Sequence, residues 1–263
     1  MRLWSPPSTS WKTLPNHAGR GAALTSDGIA QMDACLMTGD GEVGAVTGVS
    51  TVKNPIDAAR AVKEQTKHVL FADPTDAEIA DWGVATESNE YFITEQRRQS
   101  LAEAQSGGDE WEKHGTIGAV ARDAEAISPL ARPLAASPTR CTVVWVIRRC
   151  LVAARSPTSP RWRCPAPGIG EAFIKVVAAH QVSDRVRFSG ENVEDAATAT
   201  LDESRRASWR WRHDRFLPAV GRGVVAYNSE MMNFGYLARK EVRWQGVIGP
   251  LYCRHISVMA GVE

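Results

Sequence analysis

The chain has 263 residues, 43% of them hydrophobic, which is enough for one large domain or two small ones with a real core. Its 31 Lys and Arg balance 30 Asp and Glu, and the net charge of +1 excludes a strong pull toward nucleic acid or an anionic membrane surface. No run reaches the ~18 apolar residues that a bilayer span needs.

The first segment, Met1-Arg2-Leu3-Trp4-Ser5-Pro6-Pro7, lacks the apolar core of a signal peptide. Five cysteines (Cys35, Cys141, Cys150, Cys164 and Cys253) form no CxxC pair, and an odd count in a long chain points to a reducing, cytoplasmic setting. Thr25-Ser26-Asp27-Gly28 reads as a turn between two strand-like runs, the second starting at Ile29. Asn54-Pro55 supplies a cap and a first-turn proline, and Ile56, Ala59 and Val62 keep helical spacing until Thr66. Thr94 caps a polar helix from Glu95 to Ala104. Further on, the pattern predicts a helix from Gly170 to His180 with Phe173, Val176 and Val177 on one face. Another opens at Glu191 or Asn192 and runs through Leu201, and a strand covers Val224 to Asn228. Strands and helices in such alternation predict mixed α/β layers.

Three windows break this punctuation. Residues 126–167 contain no glycine and no acidic residue but seven arginines and three of the five cysteines. Residues 204–220 include Arg205, Arg206, Trp209, Arg210, Trp211 and Arg212, and residues 2–15 include Trp4 and Trp11. Six of the nine tryptophans fall in these windows, so their composition is not that of the rest of the chain.

The most informative run is His114-Gly115-Thr116-Ile117-Gly118-Ala119-Val120-Ala121, preceded by the polar stretch Ser106-Gly107-Gly108-Asp109-Glu110. A loose linker, a small residue and then a threonine opening an apolar strand is the pattern of a threonine that becomes a new N-terminus. Such a residue can supply its own general base, because the freed α-amino group sits beside the hydroxyl. His114 beside the cut reads as an exposed linker residue, and His68 and His180 as helix-end or surface residues without chemistry.

These residues resemble a known family. Asn16-His17-Ala18-Gly19-Arg20-Gly21-Ala22-Ala23-Leu24-Thr25, with Asp27-Gly28 and Met32-Asp33-Ala34, is similar to a segment of the plant-type L-asparaginases and isoaspartyl peptidases. Gly44-Ala45-Val46, Val52-Lys53-Asn54-Pro55-Ile56, Ala61-Val62, His68-Val69-Leu70 and Tyr91-Phe92-Ile93-Thr94 continue the resemblance in order. Lys113 to Ala121 matches the family's cleavage site and nucleophile, and Gly168-Ile169-Gly170-Glu171-Ala172-Phe173 its glycine-rich active-site turn.

The resemblance implies a threonine-type Ntn hydrolase, a four-layer αββα sandwich. It would cut itself between Gly115 and Thr116 and then hydrolyse L-asparagine or β-aspartyl (isoaspartyl) peptides. One Ntn-hydrolase domain would be built from an α-like portion, residues 1–115, ending in a linker over about 102–115, and a β-like portion, residues 116–263. Two processed precursors would form an (αβ)2 homodimer without a cofactor. The loop that binds a structural monovalent cation in some members would precede Ala18, inside an altered window, so no metal is expected, and the charge and hydropathy point to no nucleic-acid or membrane partner.

Carried over residue by residue, Thr116 is the nucleophile and Gly115 its scissile partner. Gly168 and Gly170 belong to the substrate-binding turn, although Pro167 stands where the family has a threonine. Asn16 and His17 fall where the family has the oxyanion-binding asparagine, with His17 in its place or Asn16 displaced by one. The family's substrate-clamping Arg and Asp have no counterpart, since Val143 and Val146 stand there, and a second active-site threonine is missing near Pro133. The family begins with a buried strand and a His-Gly-Gly-Ala-Gly motif, and this chain starts after it, which reads as a truncation at the N-terminus.

The three windows resemble out-of-frame translation. With GC-rich codons, a one-base shift across residues 137–167 can encode Arg-Val-Gly-Asp-Ser-Pro and Thr-Gly-x-Gly segments, and shifts in the other two windows behave alike. Two further readings stand beside the hydrolase. One is a frameshift-damaged relic in which cleavage fails because the strands around Thr116 cannot form. The other is an Arg- and Trp-rich binder of single-stranded nucleic acid, whose affinity would fall steeply with salt.

Overall fold

Two adjacent strands, rich in small and β-branched side chains, begin the first unit: β1, Met32–Met37, and β2, Val43–Val49. They pair antiparallel, with the Thr38 N–H donating to Glu42 O at 2.9 Å and the Gly41 N–H to Thr38 O at 3.1 Å across the turn. The structure, a computed structural model, describes residues 19–38, 41–106, 119–120, 130–135, 175–207, 215–216, 219–220, 222–227, 231–238, 241–248 and 255–258. The chain divides into two units, Met1–Ile147 and Arg148–Glu263.

Every residue of β2 is buried, as befits a strand covered on both faces. Helix α1, Pro55–Gln65, carries the chain across to β3, Leu70–Ala72, which pairs parallel with β2. Beyond β1 lies β5, Leu130–Ala135, antiparallel to it, and then β4, Ala119–Val120, antiparallel to β5. The resulting sheet has the order β3-β2-β1-β5-β4. Its core includes Met32, Ala34, Val46 and Val49 from the sheet, Ala58, Ala59 and Val62 from α1, and Ile79 and Phe92 from the segments that follow.

Helix α1 lies where the spacing predicts it. Asn54 is its N-cap and Thr66 its C-cap, although the Asn54 side chain bonds no backbone N–H, and Asp57 N–H donates instead to Asn54 O at 2.9 Å. Pro55 costs nothing in the first turn, whose N–H groups have no partner within the helix. At the other end the Thr66 hydroxyl donates to Val62 O at 2.8 Å. The predicted Thr25–Gly28 turn also forms: Thr25 N–H donates to Ile29 O at 2.8 Å, and Gly28 adopts φ +78°.

Helix α2, Asp76–Asp81, opens with a capping box in which Thr75 and Glu78 satisfy each other's backbone N–H groups. The backbone and hydroxyl of Thr75 hold the Glu78 carboxyl below its usual range. Helix α3, Asn89–Phe92, and helix α4, Glu95–Gln105, follow. Thr94 caps α4 as predicted, its hydroxyl accepting from Arg97 N–H at 3.4 Å. The helix continues to Gln105, so the first residues of the predicted linker are helical.

Asn89 fastens two strand ends to α3. Its Oδ1 accepts from Ala30 N–H at 3.1 Å, while its Nδ2 donates to Ala30 O and to Ser50 O, each at 2.9 Å. Asn89→Ala is expected to cost about 2–3 kcal/mol, the sum of three modest hydrogen bonds. Asn89→Asp is expected to cost at least as much at pH 7, because a carboxylate would face two carbonyl oxygens. Its ionised form is disfavoured in the fold, so its pKa rises there, and the deficit relative to the parent shrinks as pH falls through that raised value. Urea unfolding of both variants at pH 7 and pH 4 checks the order and the sign.

The second unit holds helix α5, Ala178–Phe188, helix α6, Val193–Ala207, and strands β6 (Arg215–Phe216), β7 (Ala219–Val220), β8 (Arg222–Tyr227), β9 (Met231–Ala238), β10 (Glu241–Ile248) and β11 (His255–Val258). Strand β8 pairs antiparallel with β11, β6 and β7, and β9 with β10. Helices α5 and α6 bury Ala178, Ala179, Val182, Ala196, Ala197 and Leu201 against each other.

Two helix boundaries differ from the sequence expectation. Of the helix predicted from Gly170 to His180, residues 170–174 lie outside the described residues; Lys175 and Val176 are helical, Val177 sits in the left-handed region at φ 48°, and α5 carries the helix past His180 to Phe188. From Ala178 onward the 3.6-residue stripe passes through Ala179, Val182 and Val186 instead. Helix α6 outruns Leu201 and ends at Ala207, inside the Arg- and Trp-rich window. Val224–Tyr227 of the predicted strand lie within β8, and Asn228 lies outside the described residues. The described residues thus form helices with a mixed sheet, an α/β arrangement.

Candidate functional site

Residues Asn16, His17, Gly115, Thr116, Gly168 and Gly170, and with them His114, Pro167, Val143 and Val146, lie outside the described residues. What the structure describes is the frame that borders them in sequence. Strand β4 begins three residues after Thr116, and the turn Gly19–Ala22 begins two residues after His17.

That turn is held from several sides. Ala22 N–H closes it on Gly19 O at 3.0 Å, and Gly19 N–H points at Met32 Sδ at 3.2 Å. Gly21 N–H donates to Phe92 O at 2.8 Å, and Gly21 O accepts from Arg97 Nε at 2.8 Å. Gly19 and Gly21 adopt φ +96° and +85°, conformations that side-chain-bearing residues rarely take. Arg97 is only 5% exposed, and burial lowers its pKa while leaving a guanidinium charged at neutral pH.

Around the turn the surface is basic and aromatic. The Arg20 guanidinium lies 5.9 Å and the Lys53 ammonium 5.3 Å from the Tyr91 ring centre, within cation–π reach. Lys53 also binds Glu87 at 2.5 Å, and this hydrogen bond, with the carboxylate's charge, raises the Lys53 pKa above 10.5. An open cleft of about 370 Å3 lined by Thr51, Asp76, Ala80, Val84, Thr86 and Glu87 lies in the same unit, with Glu87 already engaged by Lys53.

Deeper in the sheet, Asp33 is buried at an irregularity in the β1–β2 ladder. Its Oδ1 accepts from the Thr47 hydroxyl at 2.7 Å and from Gly48 N–H at 3.0 Å, so a carboxylate satisfies the donors freed by the irregularity. Pro133, near which the resemblance leads one to expect a second active-site threonine, pairs with Ala34 of β1. Strand β4 reaches only Leu130 and Ala131, so Pro133 sits where β5 has a described partner on one side, a place that tolerates a residue without an N–H.

His68 stacks edge-on against Phe71 with centroids 5.3 Å apart, and His180 meets Asp184 one helical turn on at 3.2 Å. Both are surface arrangements, as expected. Among the described residues no group of three or more His, Cys, Asp or Glu could hold a metal ion, and no helix is long and apolar enough to cross a membrane.

The sequence profile of the family described as asparaginase matches residues 13–129. Over 249 residues the chain is 32% identical to a plant-type L-asparaginase of Pyrococcus abyssi, covering 86% of this chain and 78% of that protein. The chain belongs to the asparaginase family.

Further relatives include an isoaspartyl peptidase of Salmonella typhimurium, 30% identical over 229 residues, with 81% of this chain and 69% of that protein covered. An isoaspartyl peptidase/L-asparaginase of Rattus norvegicus is 31% identical over 194 residues, 71% of this chain and 58% of that protein. As a member of the asparaginase family the chain is a hydrolase by descent. The profile match ends at residue 129, just inside the window where the composition changes.

Three residues of this asparaginase-family frame were given no role by sequence reasoning: Arg97, Asn89 and Asp33. Only Arg97 left a signal. A positive charge in the first turn of a helix opposes the helix dipole, which marks a side chain with a specific partner elsewhere.

Proposed function

We propose that this chain is an amidohydrolase that cleaves itself between Gly115 and Thr116 and then hydrolyses L-asparagine and β-aspartyl dipeptides, with Thr116 as nucleophile. The observation that carries the reading is the strand that starts three residues after Thr116 and joins the sheet through β5 to β1. A strand at that place would carry the threonine on a fixed edge, and it favours the hydrolase over a relic in which these strands do not form. The four-layer αββα sandwich, the α-like portion (residues 1–115), the β-like portion (residues 116–263) and the (αβ)2 homodimer belong to the same proposal, as does a cytoplasmic location.

In this mechanism the Thr116 hydroxyl attacks the amide carbonyl while the freed α-amino group takes its proton. Asn16 or His17 donates a hydrogen bond to the oxyanion, a contribution of roughly 3 kcal/mol when well aimed. Gly168 and Gly170 shape the turn that binds substrate. The positions of the family's Arg and Asp clamp hold Val143 and Val146, so the substrate's α-carboxylate loses a bidentate partner. Autocleavage involves no free substrate and does not need that clamp, so the loss is expected to raise KM while the cut proceeds.

Incubating the purified full chain with L-asparagine and with a β-aspartyl dipeptide, and following release of ammonia or of the second amino acid, tests the reading. Hydrolysis of either, lost in Thr116→Ala, is the expected result; a processed chain that hydrolyses neither would overturn it. The window 126–167 enters here as a shifted reading frame, an inference supported by where the profile match ends. Resequencing those codons is expected to reveal single-base changes that restore Arg-Val-Gly-Asp and Thr-Gly-x-Gly.

A further inference from the structure

We propose that Arg97 is a positioning residue for self-cleavage, which rests on the reading of Thr116 above. Its Nε donates to Gly21 O at 2.8 Å, while Gly21 N–H donates to Phe92 O at 2.8 Å, so both polar groups of one glycine are held by the α3–α4 segment. Gly21 lies four residues after His17 in the chain, and α4 runs to Gln105, eleven residues before Thr116. One side chain therefore ties the turn that follows the oxyanion-binding segment to the helix that leads into the scissile bond.

The energetics favour this over a role in packing alone. A guanidinium held at 5% exposure gives up much of its hydration, and burial alone lowers its pKa. It also sits in the first turn of α4, against the helix dipole. An unbranched apolar side chain such as methionine would fill similar space without either cost. What methionine lacks is the directed N–H that fixes the Gly21 peptide.

Gln105 adds a second tie from the same helix, its Nε2 donating to Ser26 O at 3.1 Å, and a Cβ at Gly28 would stand 3.9 Å from Leu101 Cδ2. Helix α4 is thus registered on residues 21–28 along its length. Small displacements of reacting groups are costly to rate, on the order of a hundredfold for about 1 Å. A loosened Gly21 is accordingly expected to slow the cut without unfolding the chain.

The test follows cleavage of full-length chain made by cell-free synthesis, for the parent, Arg97→Met, Arg97→Lys and Thr116→Ala, with thermal unfolding of each product. The expected result is an Arg97→Met chain that is folded at the assay temperature yet cleaves at least about tenfold more slowly, with Arg97→Lys recovering some of the rate because its ammonium can still donate to Gly21 O. Parental rates in both variants would overturn the proposal and leave the Thr116 reading intact. So would slowing that matches the unfolded fraction in Arg97→Met, with Arg97→Lys folded and no faster per folded molecule. An uncleaved parent chain would overturn both the proposal and the reading on which it rests.

Discussion

Thr116→Ala is expected to leave the chain in one piece and to reduce amide hydrolysis by at least about a thousandfold. The variant lacks the hydroxyl that attacks both the Gly115 carbonyl and the substrate, so both reactions fail together. Thr116→Ser keeps the hydroxyl and is expected to cleave and turn over more slowly than the parent, because serine's χ1 is less restricted without the β-methyl group. Mass spectrometry of the purified variants, with ammonia release in parallel, reads both effects. Cleavage of Thr116→Ala at the same bond would remove Thr116 from the mechanism.

Gly44→Ala is expected to be the most damaging single substitution in the described frame. A Cβ at Gly44 would stand 2.0 Å from Ala59 O, 2.6 Å from Lys63 N and 2.8 Å from Lys63 Cβ. Two of those atoms are helix backbone, so no rotamer change relieves the clash, and α1 must lift from β2. Lifting it opens the layer in which Ala58, Ala59 and Val62 meet Val46 and Val49. Overpacking of this kind costs about 3 kcal/mol or more, a large share of the ~5–15 kcal/mol that stabilises a domain. The melting temperature is expected to fall by roughly 6–12 °C. A fall under about 2 °C would mean that α1 rides on β2 less tightly than the structure describes.

The elements most legible in the sequence were those with local chemistry at their ends. Asn54-Pro55 and Thr66 bounded α1, Thr94 opened α4, and Thr25 to Gly28 made a turn, because a cap or a positive φ is dictated by the residue itself. The helix predicted to end at His180 runs on to Phe188, with one break where Val177 takes a left-handed conformation that no apolar stripe encodes. Strand β5, inside the window of altered composition, could not be read from pattern, since Leu130–Ala135 contains a proline and an arginine that argue against a strand. Its pairing with β1 is a tertiary fact.

The candidate site is an expectation of a different kind, carried by sequence alone. Thr116, with its small neighbour and polar linker, carries a mechanism in three or four adjacent residues, and the resemblance supplied Asn16, His17, Gly168 and Gly170. Arg97, Asn89 and Asp33 act across long separations in sequence, through a carbonyl at Gly21, backbone at Ala30 and Ser50, and donors at Thr47 and Gly48. No local pattern encodes such partners, which is why a sequence reading passes over the side chains that hold the frame.

The measurement that bears most directly on the account is the intact mass of the purified chain, with N-terminal sequencing of whatever fragments it contains. The account predicts two pieces, residues 1–115 and residues 116–263, the second beginning at Thr116. A single 263-residue chain that stays whole under conditions where it is folded would contradict it.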